Sequence, residues 1–110
     1  MPKLNVKVDH ELGADAAKQR LQTYLDKVKS QHGDKFKDLQ ENMSGNQGAF
    51  SFKTMGFKVA GGVAVNDKNV SVDLDLPFAA MLFKGKIESE LRTQLERLLS
   101  DEGANMEPPA

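Results

Sequence analysis

At 110 residues, with 39% hydrophobic and 28% charged residues, the chain has the size and balance of one folded domain rather than a disordered segment. Its formal charge is −1, with lysines and acids interspersed, which leaves no electrostatic footprint for duplex nucleic acid or an anionic membrane. The absence of cysteine excludes disulfides and thiol chemistry.

The opening Met1-Pro2-Lys3-Leu4-Asn5 lacks the apolar stretch of a signal peptide, and no apolar run approaches the roughly 18 residues of a membrane span. The expectation is a cytoplasmic protein. Leu4, Val6 and Val8 alternate with Asn5, Lys7 and Asp9, the period of a half-buried first strand. From Gly13 the period changes: Ala17, Leu21, Tyr24, Leu25 and Val28 fall on one face of a helix, with Asp15 in its first turn favouring the dipole. This helix is predicted over residues 14–32, ending where Gly33 can take the positive φ of a C′ residue.

Phe36 to Met43 reads as a polar edge strand, followed by a turn from Ser44 to Gln47. Phe50 and Phe52 alternate with Ser51 and Lys53 in the next strand, and Met55-Gly56 makes a short connection. Phe57, Val59, Val63 and Val65 share one face of a longer strand. After a turn over Asn66 to Asn69, Val70, Val72, Leu74 and Leu76 alternate with Ser71, Asp73 and Asp75. Strands joined by such short turns pair as an antiparallel meander, because parallel pairs need long crossovers.

Pro77 can open a helix, since its missing N–H costs nothing in the first turn. A second helix is predicted over residues 78–100, with Ala80, Phe83, Ile87, Leu91, Leu95 and Leu98 on its core stripe and Glu88 paired with Arg92 on its wet side. Residues 1–100 then form one domain, and residues 101–110 a frayed, flexible tail. The predicted order is β-α-β-β-β-β-α. It makes an α+β two-layer sandwich with a curved antiparallel sheet and both helices on one face. Phe83, Ile87, Leu91 and Leu21 are the expected core of the helical layer.

Catalytic groups are hard to assemble from this chain. His32 falls where a histidine complements a helix C-terminus, and neither it nor His10 belongs to a spaced metal-ligand motif. Asp73 and Asp75 share one side of a strand, where paired carboxylates can split their pKa values but more often form a solvated face. No nucleophile elbow or phosphate loop occurs, and Gly61-Gly62 sits inside a strand, where glycine marks a bulge, a bend or a close approach. The expectation is a protein that is not an enzyme, with no cofactor and no metal.

Two surfaces stand out instead. The second face of the Phe57–Val65 strand is Lys58, Ala60, Gly62 and Ala64, too small and uncharged for an ordinary solvent-facing row. Either the strand bends there, or another chain packs on it and makes a homodimer. The segment Pro77 to Phe83 is apolar all round, so Phe78, Met81 and Leu82 are either covered by the loop after the first strand or free to meet a partner.

Leu76-Pro77-Phe78, followed by Leu82-Phe83-Lys84-Gly85-Lys86-Ile87-Glu88 with Leu91 and Leu95 behind, resembles the putative polyhydroxyalkanoic acid system protein family. The first strand, His10-Glu11-Leu12 and the helix around Ala17 are similar in placement, so the likeness spans about residues 3–100 and is most specific at its C-terminal end. The chain departs from the family in a longer, lysine-rich link from Gln31 to Lys37. The resemblance implies a small bacterial protein encoded near polyhydroxyalkanoate granule genes, with no catalytic signature to carry over. It therefore implies an accessory protein that binds the granule, a granule protein or its own copy. The alternative is a carrier whose sheet and long C-terminal helix enclose an apolar ligand, as helix-grip proteins do. Two layers of this length leave little room for such a pocket.

Overall fold

The computed structural model describes residues 3–54, 56–100 and 103. Met55, and the tail apart from Gly103, lie outside those residues. Each stretch of period-two alternation forms a strand: β1 (Lys3–Asp9), β2 (Lys37–Ser44), β3 (Gln47–Thr54), β4 (Phe57–Val65) and β5 (Asn69–Asp75). Helix α1 (Ala14–His32) follows β1, while a 3-10 helix (Phe78–Phe83) leads directly into α2 (Lys84–Leu98). The strands make one open antiparallel sheet in the order β1-β5-β4-β3-β2, so the first strand pairs with the last.

The predicted order and fold class are those observed. The register explains why both helices lie on one face. Leu4, Val6 and Val8 stand opposite Leu74, Val72 and Val70, and Val63 and Val65 extend the same row from β4. These apolar positions form a single face of the pleat, and Ala17 of α1 joins Leu95 and Leu99 from the C-terminal helical end over it. Asn5, Ser71 and Asp73 point to the other face, which no helix of the described residues covers; the Asn5 amide donates to Ser71 Oγ at 3.2 Å and to an Asp73 carboxylate oxygen. Asp73 and Asp75 are thus part of a polar open face.

The core is lopsided. Its buried apolar side chains come from β1, β5, β4, Leu76 and Ala80 after β5, and the C-terminal end of α2 through Leu99, whereas β2 has none and α1 has only Ala17. Leu21, Ile87 and Leu91 pack against the core but stay half-buried.

Three local expectations fail for identifiable reasons. Gly33 has φ −59°, not a positive value, because the chain continues as a turn in which the Lys35 and Phe36 amides donate to the His32 carbonyl. The second helix is not continuous. After Pro77 the Ala80 amide donates to the Pro77 carbonyl at 2.9 Å, a three-residue repeat, and the chain breaks phase at Phe83 (φ −103°, ψ 7°) before α2 begins. Phe83 is therefore thrown off the core stripe and is 56% exposed. Finally, Arg92 donates Nη1 to the Lys7 carbonyl at 3.3 Å, tying α2 to the edge strand, and does not pair with Glu88.

Candidate functional site

The thin half of the core is a cavity. Leu21, Tyr24, Leu25 and Val28 of α1 recur at helical spacing over β2 and β3, but they stand off the sheet and enclose a space of about 520 Å³. Phe50, Phe52 and Val63 floor it, and Leu91 and Gln94 of α2 form its inner wall. The expectation that two layers leave little room is corrected by this volume, which lies within the range of roughly 300–1,000 Å³ for small-molecule sites.

Local structure explains why the space exists. At Asp38 (φ 54°) β2 takes an extra residue between the pairs Lys37–Lys53 and Gln40–Ser51. This bulge reverses the facing of the later β2 residues and turns Leu39 and Met43 towards the helices. Phe52 meets Phe36 edge-on at 5.3 Å and stacks near-parallel with Phe50 at 6.3 Å, so the floor is a rigid aromatic row. The Phe50 ring lies over Gly61, where a Cβ would come within 2.8 Å of it and 2.2 Å of the Asp73 carbonyl. Of the readings open for Gly61, close approach is the one observed.

A dry, sealed void of this size would cost roughly 12 kcal/mol at about 24 cal/mol per Å³. That rivals the whole stability of a domain, about 5–15 kcal/mol. The half-buried lining instead opens the space to solvent.

Its polar groups are few. Burial pushes the Tyr24 phenol above its ordinary pKa, and the Arg97 charge pulls it partly back. The Gln94 carboxamide oxygen is buried without a hydrogen-bond partner. Asp26 and Glu41 are the charged residues of the lining, with no lysine or arginine among the described residues that form it. Glu41 is engaged from outside by Lys29, whose pKa that hydrogen bond raises.

The second feature is the 3-10 helix. Ala80 is buried, while Phe78, Met81, Leu82 and Phe83 are 73%, 47%, 91% and 56% exposed. The loop after β1 does not cover them. Ala60, Gly62 and Ala64 lie on the open sheet face, paired with Asp75, Asp73 and Ser71 on one side and with Ser51, Ala49 and Gln47 on the other. They form a shallow trough of small side chains, remote in the fold from Phe78, Met81 and Leu82, which the helical layer carries.

The histidines have structural surroundings. His10 is 7% exposed; its Nδ1 accepts from the Leu12 amide at 3.1 Å, so the ring proton sits on Nε2, 3.1 Å from the Asn66 carbonyl. It staples the entry of α1 to the β4–β5 turn, a role that spacing did not reveal. His32 makes no hydrogen bond to the last carbonyls of α1, and its Nε2 is buried without a partner. Sequence reading also missed Arg20, whose guanidinium donates to the Leu98 carbonyl at 3.0 Å and to that of Ser100, closing the end of α2. Among the described residues there is no group of three or more potential metal ligands, and no helix is long and apolar enough to cross a membrane.

An open antiparallel sheet covered on one face by two helices, with an apolar cavity between the layers, defines a small two-layer α+β domain. The chain belongs to the family described as putative polyhydroxyalkanoic acid system protein, whose pattern it matches over residues 4–99. That membership links it to the polyhydroxyalkanoate system. No curated protein and no solved structure matches the chain.

Proposed function

We propose that this protein is a non-catalytic accessory component of the polyhydroxyalkanoate system that attaches to the apolar surface of the storage granule through Phe78, Met81, Leu82 and Phe83. The observation that carries the reading is the exposure of four large apolar side chains within one six-residue turn. Isolated exposed apolar residues need no explanation, but a contiguous group marks a contact surface. Burial of each contributes roughly 1.5–3 kcal/mol, against an association cost of about 4–15 kcal/mol. One turn therefore supports weak, reversible attachment, which suits a surface offering many equivalent positions. Lys84 and Lys86 follow the turn directly and keep its boundary in water. A non-catalytic role is supported by His10, both of whose ring nitrogens are committed to backbone groups.

The test is co-sedimentation with purified polyester particles. Phe78→Ser combined with Leu82→Ser should leave the melting temperature unchanged and abolish pelleting with the particles. Pelleting equal to that of the unaltered protein would remove the turn from the attachment surface.

A further inference from the structure

We propose that the surface met by the exposed turn is a lipid layer with anionic headgroups: Phe78, Met81, Leu82 and Phe83 enter between the acyl chains, and Lys84 and Lys86 meet the headgroups. This rests on the reading of the turn as the attachment surface and names the chemistry that the surface offers it.

The charge around the turn carries the inference. From Leu76 to Ile87 the chain has two lysines and no acid. Asp75, just before this stretch, stands opposite Lys3 in the sheet, and the next acid, Glu88, comes more than a helical turn after Phe83. Lys86 follows Phe83 by three residues, so the two are neighbours on the helix surface and a cation stands beside the apolar group. Lys86 is exposed and Lys84 half-buried, and among the described residues neither forms a hydrogen bond or an ion pair. Nor do they serve the helix. The first turn of α2 contains no acid and no side chain caps it, and cations there oppose the dipole. Side chains that break a local rule with no return in the fold mark a contact made elsewhere.

A bare polyester offers these cations no partner, and a closed apolar pocket would strip them of water. A lipid layer accommodates both parts, with acyl chains around the aromatic and aliphatic groups and headgroups at the depth the lysine stems reach. The even charge balance of the whole chain, which gives no footprint for an anionic membrane, averages over this local pair.

The test is sedimentation of the full chain with polyester particles coated with phosphatidylcholine or with phosphatidylglycerol. The anionic coat should bind about tenfold more tightly at low salt, and the advantage should fade as salt rises. Lys84→Gln with Lys86→Gln should bind both coats equally, at the affinity of the unaltered protein for the neutral coat, and should melt no lower than it. Phe78→Ser with Leu82→Ser should lose both coats. If that serine variant pellets normally, the attachment reading itself falls. If the unaltered protein pellets without preferring the anionic coat, or the glutamine variant keeps the preference, the turn remains the attachment surface and the anionic lipid is overturned.

Discussion

Gly61 and Gly62 are neighbours in sequence with opposite surroundings. A Cβ at Gly61 meets the Asp73 carbonyl at 2.2 Å, a backbone atom that cannot swing away, whereas at Gly62 the nearest atom is the Gly48 carbonyl at 3.4 Å. Gly61→Ala should therefore destabilise by about 1–3 kcal/mol through overpacking, with Gly62→Ala close to neutral, as read from urea midpoints. Tyr24 makes a second prediction. Burial raises its folded-state pKa, so above pH 10 the folded chain holds a proton that the unfolded chain has released. The stability it contributes is complete below the unfolded value of about 10 and is lost as pH rises through the folded one. Absorbance titration of this single tyrosine should give a midpoint above that of the urea-unfolded chain, and coincident midpoints would contradict its burial.

The strands and α1 were legible because alternation and helical spacing are local properties of the chain. Leu4, Val6 and Val8 could be assigned to one face without knowing what lay opposite. The 3-10 turn was not legible: Ala80, Phe83 and Ile87 fit a continuous α-helical stripe, and only the phase break at Phe83 separates them. The bulge at Asp38 was hidden for a similar reason, since an extra residue in a polar strand disturbs no apolar pattern. The Phe78–Leu82 surface could be nominated from composition, whereas the cavity could not, because it depends on how far α1 stands from the sheet. Long-range caps leave no local trace either, and Arg20 is the example. Its bonds to the Leu98 and Ser100 carbonyls join α1 to the far end of α2. Arg20→Ala should cost about 1 kcal/mol, as loss of a partly exposed hydrogen-bond donor to helix-end carbonyls does, and should speed amide exchange in the last turn of α2. Unchanged exchange there would show that the cap carries no stability.

Taken whole, the molecule is a well-packed slab of β1, β5, β4 and α2 joined to an underfilled end built from α1, β2 and β3. The two parts should respond oppositely to changes in side-chain volume. Leu4 is 2% exposed in the slab, and Leu4→Ala should cost about 2–5 kcal/mol. Val28→Phe, in the underfilled end, should be neutral or stabilising by up to about 2 kcal/mol, as filling an existing space is. Thermal melts of the two variants check the division, and equal losses would mean the core is uniform after all.

The pairing of β1 with β5 has a consequence for the order in which the protein can be made. Lys3 stands opposite Asp75, and the remaining cover comes from α2 still further along. A chain emerging from the ribosome therefore presents Leu4, Val6 and Val8 long before their partners exist, and α1 has no completed floor beneath it. The hairpins of β2 to β5 can close as they appear, but the core cannot form until the last third of the chain has been released. The nascent protein thus spends most of its synthesis with its first strand as a bare, adhesive edge, and its yield in the cell depends on what shields that edge in the interval.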